Sequence, residues 1–226
     1  MLQGQRLDTL SSLKQLFPDT GWDWGQQNDA EEFFIRALAN SVHSSFLAGM
    51  ANELFCGTVR TFYRFHPCLH TRPNQPTPTR QSLTWADGSS LTFTTTQTVI
   101  DREFGVWSEV EDGIDSCPCP GPTTRRDLGC FFESAPQHFT LVVRRNGFGA
   151  RNTFRITAER VVQLPVLRTE SHTTERVPYT LGGVVLHTGS HRAGHYRALV
   201  REPDGRWYLY DDDQVWPQHG EQEQVF

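Results

Sequence analysis

Residues 194–212 read GHYRALVREPDGRWYLYDD and predict a β-hairpin. A strand from His195 to Arg201 is followed by the turn signal Pro203-Asp204-Gly205, and a return strand covers Trp207–Tyr210. This hairpin is the most informative local feature of the chain.

The register of the hairpin places a histidine beside two carboxylates. If Arg201 faces Arg206, then His195 lies opposite Asp211 or Asp212 at the open end, and a one-residue slip changes which carboxylate meets the ring. Neighbouring strands lie about 4.8 Å apart, so a hydrogen bond between these side chains is within reach.

A paired His and Asp can do acid–base chemistry, because the carboxylate fixes the imidazole tautomer and stabilises the imidazolium. Imidazole has an ordinary pKa of about 6.5, which suits proton transfer near neutral pH. The alternative is a surface hairpin with a solvated charged end. His187 ends a buried strand and is expected to be structural, and His191 is expected in an exposed loop.

Composition restricts the class of protein. The 226 residues carry a net charge of -5, which argues against a nucleic-acid binder, since such proteins usually present a basic face. No run of about 18 apolar residues occurs, so no membrane span is expected. Five cysteines in a chain of this length favour free or metal-bound thiols over a disulfide scaffold.

Helical patterns come first and strand patterns later, which predicts an α+β fold. One helix is expected over residues 7–17 and a second near residues 28–38, where Asp29 and Glu32 have capping-box spacing. A strand is expected over residues 55–65 and a short helix over 99–107. Residues 115–130, with three prolines and three cysteines, are expected to be irregular.

Three blocks together resemble the ubiquitin-specific protease family of papain-like cysteine proteases. Residues 26–34 (QQNDAEEFF) are similar to its Gln-Asp-Ala-x-Glu-Phe box, and residues 136–145 are similar to its strand that ends in a basic pair. Residues 179–212 are similar to its His box. The blocks occur in the family's order.

The resemblance implies roles for individual residues. His195 matches the catalytic base, Asp211 the triad member that orients it, and Asp212 the neighbouring acidic residue. The resemblance also implies that three residues of the first block contact ubiquitin: Gln27, Asp29 and Glu32. Because the last two also have capping-box spacing, a helix-capping role is an alternative for that pair.

The implied architecture is a thumb, a palm and fingers in a single domain that is incomplete at both ends. Residues 1–53 are expected to form a helical thumb remnant, residues 54–135 a fingers-like β region, and residues 136–226 the palm sheet with the His box.

The family's nucleophile lies in a Gly-Asn-x-Cys box, and no such box occurs here. Two functions therefore stay open: a thiol-dependent deubiquitinase whose recorded sequence is truncated, and an inactive pseudo-protease that binds ubiquitin. As written, the chain is expected to be inactive, because the thiolate is the attacking group. The expected partners are ubiquitin and ubiquitinated proteins, without nucleic acid or membrane, in the cytoplasm or nucleus.

Two ligand pairs suggest a structural zinc site. Cys68-x-His70 and Cys117-x-Cys119 lie where many relatives hold zinc between two cysteine pairs, and four N/S ligands suit tetrahedral Zn²⁺. Catalysis itself would require no cofactor.

Overall fold

A computed structural model describes residues 29–34, 49, 53–73, 77–80, 82–85, 93–110, 117, 119–120, 124–143, 146–147, 150–151, 155–168, 170–171, 173–190, 193–218 and 224–225. The predicted helix over residues 7–17 lies outside these ranges, as do Gln27 and His191.

Most of the described chain is β-structure. The strands, in chain order, are β1 (Cys56–His66), β2 (Thr71–Pro73), β3 (Thr77–Arg80), β4 (Ser82–Trp85), β5 (Phe93–Thr95), β6 (Trp107–Val110), β7 (Arg125–Ser134), β8 (Thr140–Val143), β9 (Asn146–Gly147), β10 (Ala150–Arg151), β11 (Arg155–Ala158), β12 (Val161–Arg168), β13 (Thr173–Thr180), β14 (Gly183–Gly189), β15 (Gly194–Arg201), β16 (Trp207–Asp211), β17 (Gln214–Gln218) and β18 (Gln224–Val225). The helices are α1 (Ala30–Phe33) and α2 (Thr96–Glu103).

Two sheets dominate the architecture. A seven-stranded sheet has the order β13-β12-β7-β1-β2, with β3 also paired to β1 and β6 to β7. A four-stranded antiparallel sheet has the order β14-β15-β16-β17 and contains the predicted hairpin. Three smaller sheets are β18-β11-β5, β4-β8 and β9-β10. The α+β class expected from the sequence therefore matches the described elements.

Both helices begin at a side-chain cap. The Oδ1 atom of Asp29 accepts a hydrogen bond from the backbone N–H of Glu32 (3.0 Å), which satisfies a donor that a helix start leaves unpaired. Thr95 caps α2 in the same way by accepting from Thr98 N–H. Glu159 reinforces this second start, because its carboxylate accepts from the backbone N–H of Gln97 (2.5 Å).

The core forms where α2 packs near the seven-stranded sheet. Its central cluster joins residues of β1, α2, β7 and β12, of which Leu164 and Val166 are completely buried: Val59, Ile100, Phe104, Phe132, Leu164 and Val166. Each such side chain stabilises the fold by about 1.5–3 kcal/mol through removal of apolar surface from water.

Several predicted elements are confirmed and one is wrong. Strand β1 matches the expected strand over residues 55–65, and α2 matches the expected short helix but begins and ends earlier. Residues 125–130 were predicted to be irregular and instead begin β7. No described helix has the length and apolar character needed to cross a membrane.

The predicted division at residue 135 separates strands that belong to one sheet. Strand β12 lies beside β7 through the pair Val166 and Phe132, so the seven-stranded sheet includes segments from both sides of that boundary. The thumb, fingers and palm boundaries stay a prediction.

Candidate active site

The β15–β16 hairpin brings the ring of His195 to the carboxylate of Asp211. Nε2 of the ring contacts Oδ1 of Asp211. The predicted register is wrong by one residue, because Arg201 pairs with Trp207 rather than with Arg206. The open end of the hairpin still brings the two side chains together.

The charge environment of this pair favours the imidazolium. The hydrogen bond to Asp211 raises the pKa of His195, and the negative charges of Asp211 and Asp212 act in the same direction. Desolvation and the charge of Arg197 oppose them. The side chain of His195 is 42% exposed, so the ring is accessible to a bound substrate.

The two candidate carboxylates have different roles. The carboxylate of Asp212 lies within 4.8 Å of the His195 ring nitrogen and the Asp211 carboxylate, but it is Asp211 that accepts the hydrogen bond of the ring. Asp212 is exposed and has a φ of 50°, which belongs to the turn between β16 and β17. Asp211 therefore orients the ring, and Asp212 adds charge.

The acidic first turn of α1 lies against the strand that carries His195. Oδ2 of Asp29 accepts a hydrogen bond from the hydroxyl of Tyr196 (3.0 Å), while Oδ1 caps the helix. The predicted capping role of Asp29 is thus confirmed. The contact to Tyr196 was not predicted, although Tyr196 directly follows the candidate base in the sequence.

His187, expected to be structural, packs inside the four-stranded sheet. It lies opposite Tyr196 in the β14–β15 pair, and the two rings stack with centroids 4.6 Å apart. This contact lies on the face of the sheet opposite to the His195 side chain, because neighbouring residues of a strand point to opposite faces.

Three of the four predicted metal ligands come together. The thiols of Cys68, Cys117 and Cys119 lie within 4.8 Å of one another, with Cys68 Sγ and Cys117 Sγ 3.3 Å apart. The imidazole of His70 does not belong to this group, and its ring packs against Phe65 (centroids 6.4 Å apart).

Backbone groups form hydrogen bonds with two thiols of this cluster. The N–H of Cys119 donates to Cys117 Sγ (3.4 Å). A backbone hydrogen bond from His70 lowers the pKa of Cys68, and the neighbouring Cys117 thiol lowers it further. Hydrogen bonding with Cys117 raises the pKa of Cys119 to about 11. The cluster therefore holds protons that a bound metal ion would displace.

The remaining two cysteines lie in the seven-stranded sheet. Cys56 begins β1, and Cys130 lies within β7 opposite Thr61. Burial raises the pKa of the Cys130 thiol, which is the opposite of what a nucleophile needs. The elements that carry the His–Asp pair contain no cysteine.

The family model described as "Ubiquitin carboxyl-terminal hydrolase" matches residues 6–225. The chain belongs to the ubiquitin carboxyl-terminal hydrolase family. The membership expected from the three sequence blocks is thereby confirmed.

Relatives within this hydrolase family are much longer than the chain. Ubiquitin carboxyl-terminal hydrolase 25 of Arabidopsis thaliana is 28% identical over 228 residues, which cover 91% of this chain and 33% of that protein. Ubiquitin carboxyl-terminal hydrolase 5 of Schizosaccharomyces pombe is 33% identical over 95 residues, which cover 38% of this chain and 9% of the relative. The chain thus spans a third or less of these two relatives.

Solved structures of the SAGA DUB module share the fold. The SAGA Ubp8/Sgf11/Sus1/Sgf73 DUB module bound to ubiquitin aldehyde matches with a TM-score of 0.62 at 18% identity, covering 86% of this chain and 46% of that chain. The same module bound to monoubiquitin also gives a TM-score of 0.62, at 19% identity, covering 86% of this chain and 45% of that one. The papain-like fold implied by the sequence is therefore confirmed.

Proposed function

We propose that this chain supplies ubiquitin recognition and the His–Asp half of a thiol-dependent deubiquitinating site. The observation that carries the proposal is the contact between Nε2 of His195 and the carboxylate of Asp211. Membership of the ubiquitin carboxyl-terminal hydrolase family supports ubiquitin conjugates as the substrate class.

The orientation of the ring assigns each nitrogen a role. With Nε2 donating to Asp211, the proton-accepting nitrogen is Nδ1, which makes no hydrogen bond to any described residue. Nδ1 takes the proton of the attacking thiol, and the thiolate adds to the carbonyl carbon of the C-terminal glycine of ubiquitin. The imidazolium then returns the proton to the leaving amine as the C–N bond breaks.

Water completes the reaction with the same ring. Nδ1 removes a proton from water, the hydroxide attacks the thioester, and the thiol leaves with that proton to release free ubiquitin. Throughout the cycle Asp211 keeps its charge and stabilises the imidazolium. Because the pKa of His195 is raised, the ring accepts a proton readily near neutral pH.

A second candidate function is ubiquitin binding without cleavage. The observation that favours it is the position of the five cysteines, which lie in the thiol cluster, at the start of β1 or within β7. None lies on β14–β17 or α1 within the described part of the chain. On this proposal, the described elements bind ubiquitin, and His195 has no thiol on them to activate.

The proposed contact surface for ubiquitin is the acidic first turn of α1. Glu31 and Glu32 are both half-buried there, next to Asp29. This surface suits a basic partner segment, because charge complementarity raises the association rate and excludes wrong partners. Gln27 is proposed to extend the surface, although it lies outside the described residues.

The chain is expected to bind ubiquitin without cleaving it at a useful rate. Calorimetry should show binding that the charge reversal Glu32→Lys weakens about tenfold, in line with the cost of a like-charge contact at an interface. The matched control Glu170→Lys changes an exposed turn residue and should leave the affinity unchanged. A fluorogenic ubiquitin amide reports cleavage, and turnover that His195→Ala abolishes would show that a thiol of this chain reaches the site.

We propose structural zinc at the thiol cluster of Cys68, Cys117 and Cys119. Thiolates are preferred zinc ligands, and the three sulfurs lie within 4.8 Å of one another. His70 stays a predicted fourth ligand that the described geometry does not bring into the cluster. Zinc would hold β1 and the segment before β7 together and would take no part in proton transfer.

Purified protein is expected to contain about one equivalent of zinc per chain. Cys117→Ser should reduce the metal content several-fold and lower the melting temperature, because metal binding contributes to folding stability. Cys130→Ser is the matched control, since this thiol lies outside the cluster and should leave the metal content unchanged. Elemental analysis of protein prepared without chelator gives the result. A metal content far below one equivalent would rule out the site.

The proposed location is inside the cell, in the cytoplasm or nucleus, where ubiquitinated proteins and reduced thiols occur.

A further inference from the structure

We propose that Asp29 and Tyr196 form a positioning pair that holds the strand segment of His195 in place. This inference rests on the proposed function, since it concerns the same His–Asp pair. It assigns Asp29 a second role besides ubiquitin contact, and it gives Tyr196 a role that the sequence blocks did not indicate.

The pair joins two segments that are far apart in the chain. The hydroxyl of Tyr196 donates to Oδ2 of Asp29 at 3.0 Å, across a separation of 167 residues. Asp29 is itself fixed, because its Oδ1 accepts the backbone N–H of Glu32 at the start of α1. The hydrogen bond therefore anchors β15 to a helix start whose capping residue cannot turn away without unpairing an N–H group.

The surroundings of Tyr196 restrict the movement of its side chain. Burial raises the pKa of Tyr196, and its hydrogen bond to Asp29 raises it further, so the hydroxyl keeps its proton and remains a donor. The tyrosine ring also stacks on His187, with centroids 4.6 Å apart. One side chain thus has two partners, one on a neighbouring strand and one on a helix.

The residue on the other side of His195 is confined as well. A Cβ atom placed on Gly194 would lie 2.0 Å from Nε2 of His187 and 2.5 Å from the carbonyl oxygen of Thr188. The backbone at Gly194 therefore lies directly against the His187 ring. His187 contacts both neighbours of His195, and Asp29 fixes the tyrosine on which His187 stacks.

Fixing the backbone on both sides limits how far the His195 side chain can move. The ring projects from the face opposite to Tyr196, toward Asp211 on β16. Its side chain is 42% exposed, so packing alone holds it weakly. Without the anchor, the segment can shift away from Asp211, and a hydrogen bond weakens steeply with distance and angle.

The charged groups that face His195 are Asp211 and Asp212 from the β16 end and Arg197 from its own strand. None of these is altered by Tyr196→Phe, which removes one hydroxyl and no charge. A change in the titration of His195 in that variant therefore reports on position rather than on a lost charge.

The test is the NMR titration of the His195 ring in the full chain, with the resonance assigned by its absence in His195→Gln. Tyr196→Phe is expected to move the titration midpoint down toward the ordinary imidazole value of about 6.5. Asp29→Asn should move it in the same direction, and the double variant should move it no further than the larger single effect.

Tyr179→Phe is the matched control. Tyr179 lies on β13 of the seven-stranded sheet, and its hydroxyl donates to the carbonyl oxygen of Pro136. The variant therefore also loses a hydrogen bond but should leave the His195 midpoint unchanged. An unchanged midpoint in Tyr196→Phe, or an equal drop in Tyr179→Phe, would overturn the positioning role. A chain that shows the expected drop without binding ubiquitin would keep the positioning pair and lose the proposed function.

Discussion

Replacing Asp127 by Asn is expected to destabilise the domain by about 3 kcal/mol, because the change leaves a cluster of cations without its buried anion. The Asp127 side chain is 5% exposed. Its carboxylate accepts from Arg64 (2.7 Å), His66 (2.8 Å) and Arg125 (3.3 Å). The amide of Asn keeps one acceptor oxygen but no charge, and its N–H₂ group faces these donors.

Thermal unfolding measures this effect. A loss of about 3 kcal/mol should lower the melting temperature by about 6–12 °C in a chain of this length. Glu175→Gln is the matched control, since it removes a carboxylate from the exposed Arg168–Glu175 pair, and such pairs contribute about 0–1 kcal/mol. Equal melting temperatures for the two variants would show that the Asp127 network adds little.

The effect should depend on pH in a defined direction. Burial alone would raise the pKa of Asp127, but hydrogen bonds from Arg64 and His66 and the charges of His66 and Arg125 outweigh it and lower that pKa. A group with a lowered pKa stabilises the fold above its unfolded value, about 3.9 for Asp, and loses that contribution as pH falls through the folded value. The difference between wild type and Asp127→Asn should therefore shrink in acid.

The hairpin could be predicted from the sequence, but its loop length could not. The β-branched and aromatic residues of the strands and the Pro-Asp-Gly turn are local signals. The real loop is longer by one residue, because Glu202 donates its N–H to Arg206 O (2.9 Å) and Asp204 accepts from Arg206 N–H. Turn residues indicate that the chain reverses, whereas small differences in side-chain bonding decide which residues pair.

Strand β7 shows why the burial of polar residues is hard to predict from the sequence. Its inward positions include Asp127, Gly129 and Phe131, and only the last is apolar. Asp127 is buried because cations surround it. Gly129 is buried because the Trp107 ring lies over it, so a Cβ there would approach that ring to 2.8 Å. Arg64, His66 and Trp107 are all distant in the sequence, so the local pattern does not mark Asp127 and Gly129 as buried.

The contacts of the candidate site also differ in this respect: one is predicted by the local sequence, and the other depends on tertiary packing. The pair His195 and Asp211 lies within one hairpin, so the spacing predicted that the ring meets Asp211 or Asp212, and the family resemblance implied Asp211. The bond between Tyr196 and Asp29 depends on how α1 packs on β15. That packing is a tertiary property with no periodic signal, and the Asp29 spacing indicated only a helix cap.

Replacing Asp211 by Asn is expected to abolish most of the turnover that depends on His195. An amide cannot stabilise the imidazolium and favours the wrong tautomer, and in triad enzymes this change costs about four orders of magnitude in turnover. Turnover of a fluorogenic ubiquitin amide measures the loss in an engineered fusion that joins a Gly-Asn-x-Cys segment to the start of this chain. Asp212→Asn is the control and should cost far less, because Asp212 acts on the ring only through its charge.

Asp211→Asn is also expected to change the pH dependence of stability, which can be measured without a nucleophilic Cys. Because the hydrogen bond to Asp211 raises the pKa of His195, the pair stabilises the fold fully below the unfolded imidazole value of about 6.5. That contribution is lost as pH rises through the folded value. Asp211→Asn should thus lower the melting temperature more at pH 5.5 than at pH 8.5, and the His195 midpoint should fall. Equal shifts for Asp212→Asn would mean that both carboxylates act only as charges and that neither orients the ring.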